Sequence, residues 1–75
     1  MSKLPHISSR ECINALKKAG FQVVSQTGSH IKLRRDEPYA QVIVNETREL
    51  AAGTLRAILR QTGISVEAFN DLLND

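Results

Sequence analysis

The sequence predicts a small α+β fold, a three-stranded antiparallel sheet with helices packed on one face, in the order α-β-β-β-α-α. Three observations carry that expectation. A capped amphipathic segment opens the chain, three short β-rich runs separated by Gly- and Pro-bearing turns follow, and two helical patterns close it. Seventy-five residues make one domain, residues 1–75, near the lower limit at which a chain buries enough apolar surface to fold unaided. A hydrophobic content of 41%, with two prolines and four glycines, is that of an ordinary globular protein and excludes disordered and fibrous classes.

The elements follow in order. Leu4-Pro5-His6-Ile7 is extended, because proline biases the residue before it away from helix. Ser8 and Glu11 have the spacing of a capping box, Ile7 and Cys12 sit at the two staple positions, and Gly20 supplies a left-handed stop, so a helix is expected over about Ser9–Ala19. Its core face carries Cys12, Ile13, Leu16 and Ala19; Arg10, Asn14, Lys17 and Lys18 point outward. A first strand is expected over residues 21–26, with Thr27-Gly28-Ser29 as a hairpin turn. In the next strand, residues 30–35, the period of two puts Ile31 and Leu33 on one face and His30, Lys32 and Arg34 on the other. Asp36-Glu37-Pro38 turns the chain into a third strand over residues 39–44. After a polar loop at 45–49, Leu50 to Gln61 carries Leu55, Ile58 and Leu59 at helical spacing, with Arg56 and Arg60 outside and Gly63 ending the helix. Ser65 caps a last helix that adds Phe69, Leu72 and Leu73. Strands bracketed by helices leave one sheet face open, and His30, Lys32 and Arg34 are expected there.

Charge is unevenly spread. Residues 1–35 hold seven Lys/Arg against one acid, and residues 36–75 three against seven, so +6 stands beside −4 within a net charge of +2. Such asymmetry is a weak footprint of polyanion binding by the basic half, and a solvated charged surface reads the same way. The single Cys12, on a core-facing position, reads as a buried small hydrophobe; no second thiol or clustered histidine stands near it to make a metal site, so no metal and no cofactor are expected. The first six residues lack the apolar core of a signal peptide and the apolar runs are short, so the expectation is a cytoplasmic protein with no membrane partner.

A histidine, a lysine and an arginine in a row on an open sheet face suit a phosphodiester backbone. Gly28-Ser29 just before them adds a close-approach glycine, a hydroxyl and local N–H groups for phosphate oxygens, and Arg10, Lys17 and Lys18 of the first helix extend the basic surface. Aromatic platforms are nearly absent, which favours shape and backbone recognition over base stacking. His30 is the residue type for general acid–base work on an RNA 2′-hydroxyl; a strand histidine touching only solvent or phosphate fits the same pattern. The sequence has no HExxH, Walker loop, GxSxG or paired carboxylates.

Four segments together resemble the HicA-type (YcfA-like) toxins of bacterial and archaeal toxin–antitoxin pairs. They are Leu4-Pro5-His6-Ile7-Ser8, the stretch 16–21 ending in Ala19-Gly20-Phe21, Gln26-Thr27-Gly28-Ser29-His30, and the stretch 53–65 from Gly53-Thr54-Leu55 to Gly63-Ile64-Ser65. The resemblance implies a double-stranded-RNA-binding-domain-like fold, a metal-independent endoribonuclease acting on mRNA, His30 as its catalytic residue, and a HicB-type antitoxin as partner. Gly28, Ser29, Lys32, Arg34, Lys17, Lys18 and Arg10 are the residues expected to hold the RNA. The chain departs from the family's Val-Pro-x-His stretch, which here reads Val42-Ile43-Val44-Asn45, so the second imidazole is replaced by an amide; Ala51-Ala52 likewise stands where the family has a proline. A catalytically silent RNA-binding module and a protein-interaction domain docking through its acidic half are the other two readings the residues allow.

Overall fold

The computed structural model describes residues 3–74; Met1 and Ser2 of the N-terminal stretch and Asp75 of the acidic half lie outside the described residues. The elements come in the expected order: α1 (Ser9–Lys18), β1 (Gln22–Thr27), β2 (His30–Asp36), β3 (Tyr39–Asn45), α2 (Ala52–Thr62) and α3 (Val66–Asn74). The strands form one antiparallel sheet in the order β1-β2-β3.

Both ends of α1 are fixed by local chemistry. Glu11 N–H donates to Ser8 Oγ at 3.1 Å and Ser8 N–H donates to Glu11 Oε1 at 3.1 Å, which closes the capping box. At the other end Gly20 takes φ 101°, Gly20 N–H donates to Lys17 O and Phe21 N–H to Leu16 O, the paired bonds of a Schellman stop. Phe21 is therefore buried under the helix end, and β1 starts one residue later than expected. α2 also starts later than the apolar pattern implied. Ala51 caps it without a side-chain hydrogen bond, while Leu50 is buried outside the helix, its N–H donating to Ile7 O at 2.8 Å. Ser65 caps α3 as expected, accepting from Ala68 N–H at 3.0 Å.

Helices α1 and α2 pack on β3, and α3 packs on α1. The core joins Cys12, Leu16 and Phe21 to Leu33, Val42 and Val44 of the sheet and to Leu55, Leu59 and Phe69 of the last two helices. Strand β1 lies beyond this cover. All six of its residues are exposed, with Val23 and Val24 42% and 41% accessible, and the β1–β2 register shifts between Val23 and Ser25.

Two polar fastenings hold the layers. The buried Ser9 clasps the loop after β3: its N–H donates to Thr47 O at 3.0 Å, its hydroxyl donates to the same oxygen at 3.0 Å, and Thr47 N–H donates to Ser9 Oγ at 2.9 Å. Arg35 is the second. It lies 4.6 Å over the Phe21 ring, donates from Nε to Pro38 O at 2.9 Å and from Nη2 to Thr62 O at 3.1 Å, and so ties the β2–β3 turn to the end of α2.

Ser9→Ala removes the hydroxyl while leaving Thr47 N–H in a part-buried setting, so urea unfolding is expected to show a loss of about 1–3 kcal/mol. Burial pushes the Cys12 thiol up from 9.0 to about 12. The unfolded thiol ionises first as pH rises, so this contribution to stability is complete below pH 9.0 and is lost between there and about 12. Cys12 is accordingly expected to resist alkylation at pH 8 until the chain is unfolded, which mass spectrometry with and without denaturant reads directly.

Candidate functional site

The β1–β2 connection has two residues, Gly28-Ser29, flanked by the Thr27↔His30 pair. Gly28 takes φ 58° and among the described residues no non-glycine residue has positive φ, so only the first central position is left-handed, the pattern of a type II′ hairpin turn that matches the twist of the strands. Gln26 Nε2 donates to Gly28 O at 3.2 Å and buttresses the turn. A Cβ added to Gly28 would meet nothing within 4 Å, so glycine is needed here for its backbone alone, and the outer side of the turn is open.

His30 follows at the start of β2, exposed, with Lys32 and Arg34 on the same face and Ile31 and Leu33 buried on the other, as the alternation requires. Arg34 is partly engaged: its Nε is 3.1 Å from Asp36 Oδ1, an exposed pair of little energetic weight. β3 completes the face. Its register sets Asn45 opposite His30, Ile43 opposite Lys32 and Gln41 opposite Arg34. Glu46 N–H donates to Ser29 O at 2.7 Å, which makes His30↔Asn45 a non-hydrogen-bonded pair, the kind whose side chains lie closest. Thus the Asn45 amide stands directly across from His30. Ile43, 50% exposed, leaves an apolar side chain between the cations and the rim.

The cations of α1 do not join this face. Lys18 Nζ donates to Leu72 O at 3.0 Å, which directs it to the α1–α3 contact. Arg10 and Lys17, with Ile13 and Asn14, form one wall of a cavity of about 250 Å³ whose other wall is Ile31 and Glu46. Ile31 belongs to the covered side of the sheet, so the cavity lies on the opposite side from His30, at the same end of the strands. Arg48 lies just beyond, in a shallower depression shared with Ser8, Arg10 and Thr47. Sequence reasoning missed this cavity and the Asn14 and Glu46 side chains in it; the charge of Arg10 and Lys17 was legible, their partner wall was not. His6 is exposed, its Nδ1 3.6 Å from Oε1 of Glu49, which is also exposed.

An α-β-β-β-α-α domain with a three-stranded antiparallel sheet covered on one face is of the double-stranded-RNA-binding-domain-like class. Residues 9–64, about three quarters of the chain, match the family model described as HicA toxin of bacterial toxin–antitoxin. The chain belongs to the HicA toxin family, and is the toxin of a toxin–antitoxin system with an antitoxin as its partner. No individual curated protein matches it. The matched stretch contains Gly28-Ser29-His30 and Asn45, whereas Leu4–Ser8 and Ser65 fall outside it. Among the described residues no helix is long and apolar enough to cross a membrane.

Replacing Gly28 by alanine forces a side chain into the left-handed region without relieving any contact, and is expected to lower stability by about 1–2 kcal/mol in thermal or urea unfolding.

Proposed function

We propose that the protein is an mRNA-cleaving endoribonuclease that uses His30 and no metal, arrests growth when free, and is silenced by a HicB-type antitoxin. The observation that carries this reading is Gly28-Ser29-His30 within a HicA family member, with the imidazole exposed beside Lys32 on an otherwise open sheet face. RNA lies along that face with its phosphates toward Gly28, Ser29, Lys32 and Arg34.

The chemistry needs few parts. His30 takes the proton of a 2′-hydroxyl as the 2′-oxygen bonds to phosphorus, and the bond from phosphorus to the 5′-oxygen breaks. Lys32 and the N–H groups of the Gly28-Ser29 turn offset the negative charge that grows on the phosphoryl oxygens. Asn45, opposite His30, donates a hydrogen bond to those oxygens but holds no exchangeable acid, so the leaving 5′-oxygen takes its proton from water, which reaches this exposed site freely. One positioned proton carrier contributes roughly 10²–10⁴-fold, which makes for a slow nuclease and is sufficient for a growth regulator. The same cationic face with the apolar Ile43 in it is what an antitoxin covers.

Asn45 supports a second reading, a module that grips RNA without cutting it. The two separate on purified protein. Wild-type chain is expected to fragment unstructured RNA in EDTA, and His30→Ala, still folded and still shifting RNA on a gel, is expected to lose at least about 100-fold of that rate. A folded His30→Ala that still degrades mRNA and arrests growth sinks the proposal; wild-type binding without fragments selects the silent module. Restoring an imidazole with Asn45→His puts an acid across the strand pair from His30 and is expected to raise the cleavage rate by about 10- to 100-fold in the same assay.

A further inference from the structure

The cavity between α1 and the end of the sheet has the chemistry of a nucleotide site. Its walls are unlike: Ile13 and Ile31 are apolar and buried, Asn14 and Glu46 offer an amide and a carboxylate, and Arg10 and Lys17 add two cations at the outer edge of α1. None of the Arg10, Asn14, Lys17 and Glu46 side chains makes a hydrogen bond or ion pair among the described residues, so all four are available to a ligand. The volume of about 250 Å³ falls below the roughly 300–1,000 Å³ of pockets for drug-sized molecules and matches one ring system. The walls are also held in place. Ser9, at the head of α1, is clasped to Thr47 by three hydrogen bonds, and Glu46 N–H is fixed to Ser29 O at 2.7 Å.

That last bond decides what the cavity belongs to. Ser29 and Glu46 flank the His30↔Asn45 pair, so the cavity and His30 sit on the two sides of the same sheet end. A single RNA strand running over that end meets both. We infer that this cavity is a base-selecting subsite for a nucleotide next to the scissile phosphodiester, with Glu46 reading the base, Asn14 assisting, and Arg10 and Lys17 holding the neighbouring phosphates. The inference rests on the RNA-cleavage reading of His30 for the word scissile; the base preference itself stands independently of cleavage. A carboxylate accepts hydrogen bonds only, so the favoured base is one that presents donors. Guanine is best, because its N1–H and exocyclic amino group match the two carboxylate oxygens; adenine and cytosine each present one amino group, and uracil presents one ring N–H beside two carbonyls that repel the carboxylate.

The test uses the wild-type chain and short 2′-O-methylated RNA, which lacks the nucleophilic 2′-hydroxyl and stays intact. Fluorescence anisotropy at low salt compares oligomers of alternating guanine and uracil with all-uracil oligomers. The guanine-bearing RNA is expected to bind roughly tenfold tighter, the scale of one well-made bidentate base contact. In Glu46→Gln and in Asn14→Ala that ratio is expected to fall to within about twofold, and in Glu46→Gln all-uracil binding is expected to tighten as the repelling carboxylate is lost; Lys17→Ala is expected to weaken both RNAs alike and to flatten the salt dependence. No preference in the wild type, or a preference that survives both Glu46→Gln and Asn14→Ala, overturns the inference. Cleavage of unmodified RNA without any base preference removes the subsite and leaves the nuclease; preference without cleavage removes the nuclease and leaves the subsite. Failure to bind either RNA removes both.

Discussion

The register of β2 on β3 is the constraint from which the rest of the molecule follows. On the covered side it stacks Ile31 on Val44 and Leu33 on Val42, and all four are buried beneath the helices. Each such side chain is worth about 1.5–3 kcal/mol in removal from water. A slip of one residue would turn these outward and drive His30, Lys32 and Arg34 into the core, so hydrophobic burial on one face dictates which polar groups share the other. The partnership of His30 with Asn45 is thus set by leucine, isoleucine and valine side chains that never touch a ligand. Arg35, on the covered side at the far end, closes the arrangement by reaching Phe21, Pro38 and Thr62 from one side chain.

The cations divide by task in a way that net charge hides. Arg35 and Lys18 spend their donors on backbone carbonyls and join elements distant in sequence. Arg34 is half-answered by Asp36. Lys32, with His30, is on the open face, and Arg10 and Lys17 line the far side of the same sheet end. The basic half of the chain is therefore two surfaces meeting at the Ser29–Glu46 contact, where composition implies a single patch.

Much of this was legible in the sequence, for local reasons. The Ser8–Glu11 spacing, the Gly20 and Gly63 stops and the alternation through residues 30–34 each act within a few residues, and each places its element to within two positions. What could not be read depends on contacts far apart in the chain. Lys18 looks like any outward lysine until α3 brings the Leu72 carbonyl to it across 54 residues. Arg35 looks like the end of a basic run until Phe21 and Thr62 surround it. Val23 and Val24 have the composition of a buried strand, yet three helices of nine to eleven residues cover only β2 and β3. The cavity of Asn14 and Glu46 joins residues on two elements that no local pattern connects.

The uncovered β1 has a bearing on how the chain behaves when alone. An edge strand without a charge among its six residues, with two valines open to water, is a template on which another extended chain can stack. The register shift at Val24 interrupts that template in its middle: one residue too many breaks the even spacing of the outward N–H and C=O groups, so an incoming strand finds no long straight ladder. The bulge thus works against strand-on-strand stacking on this edge when the chain is alone.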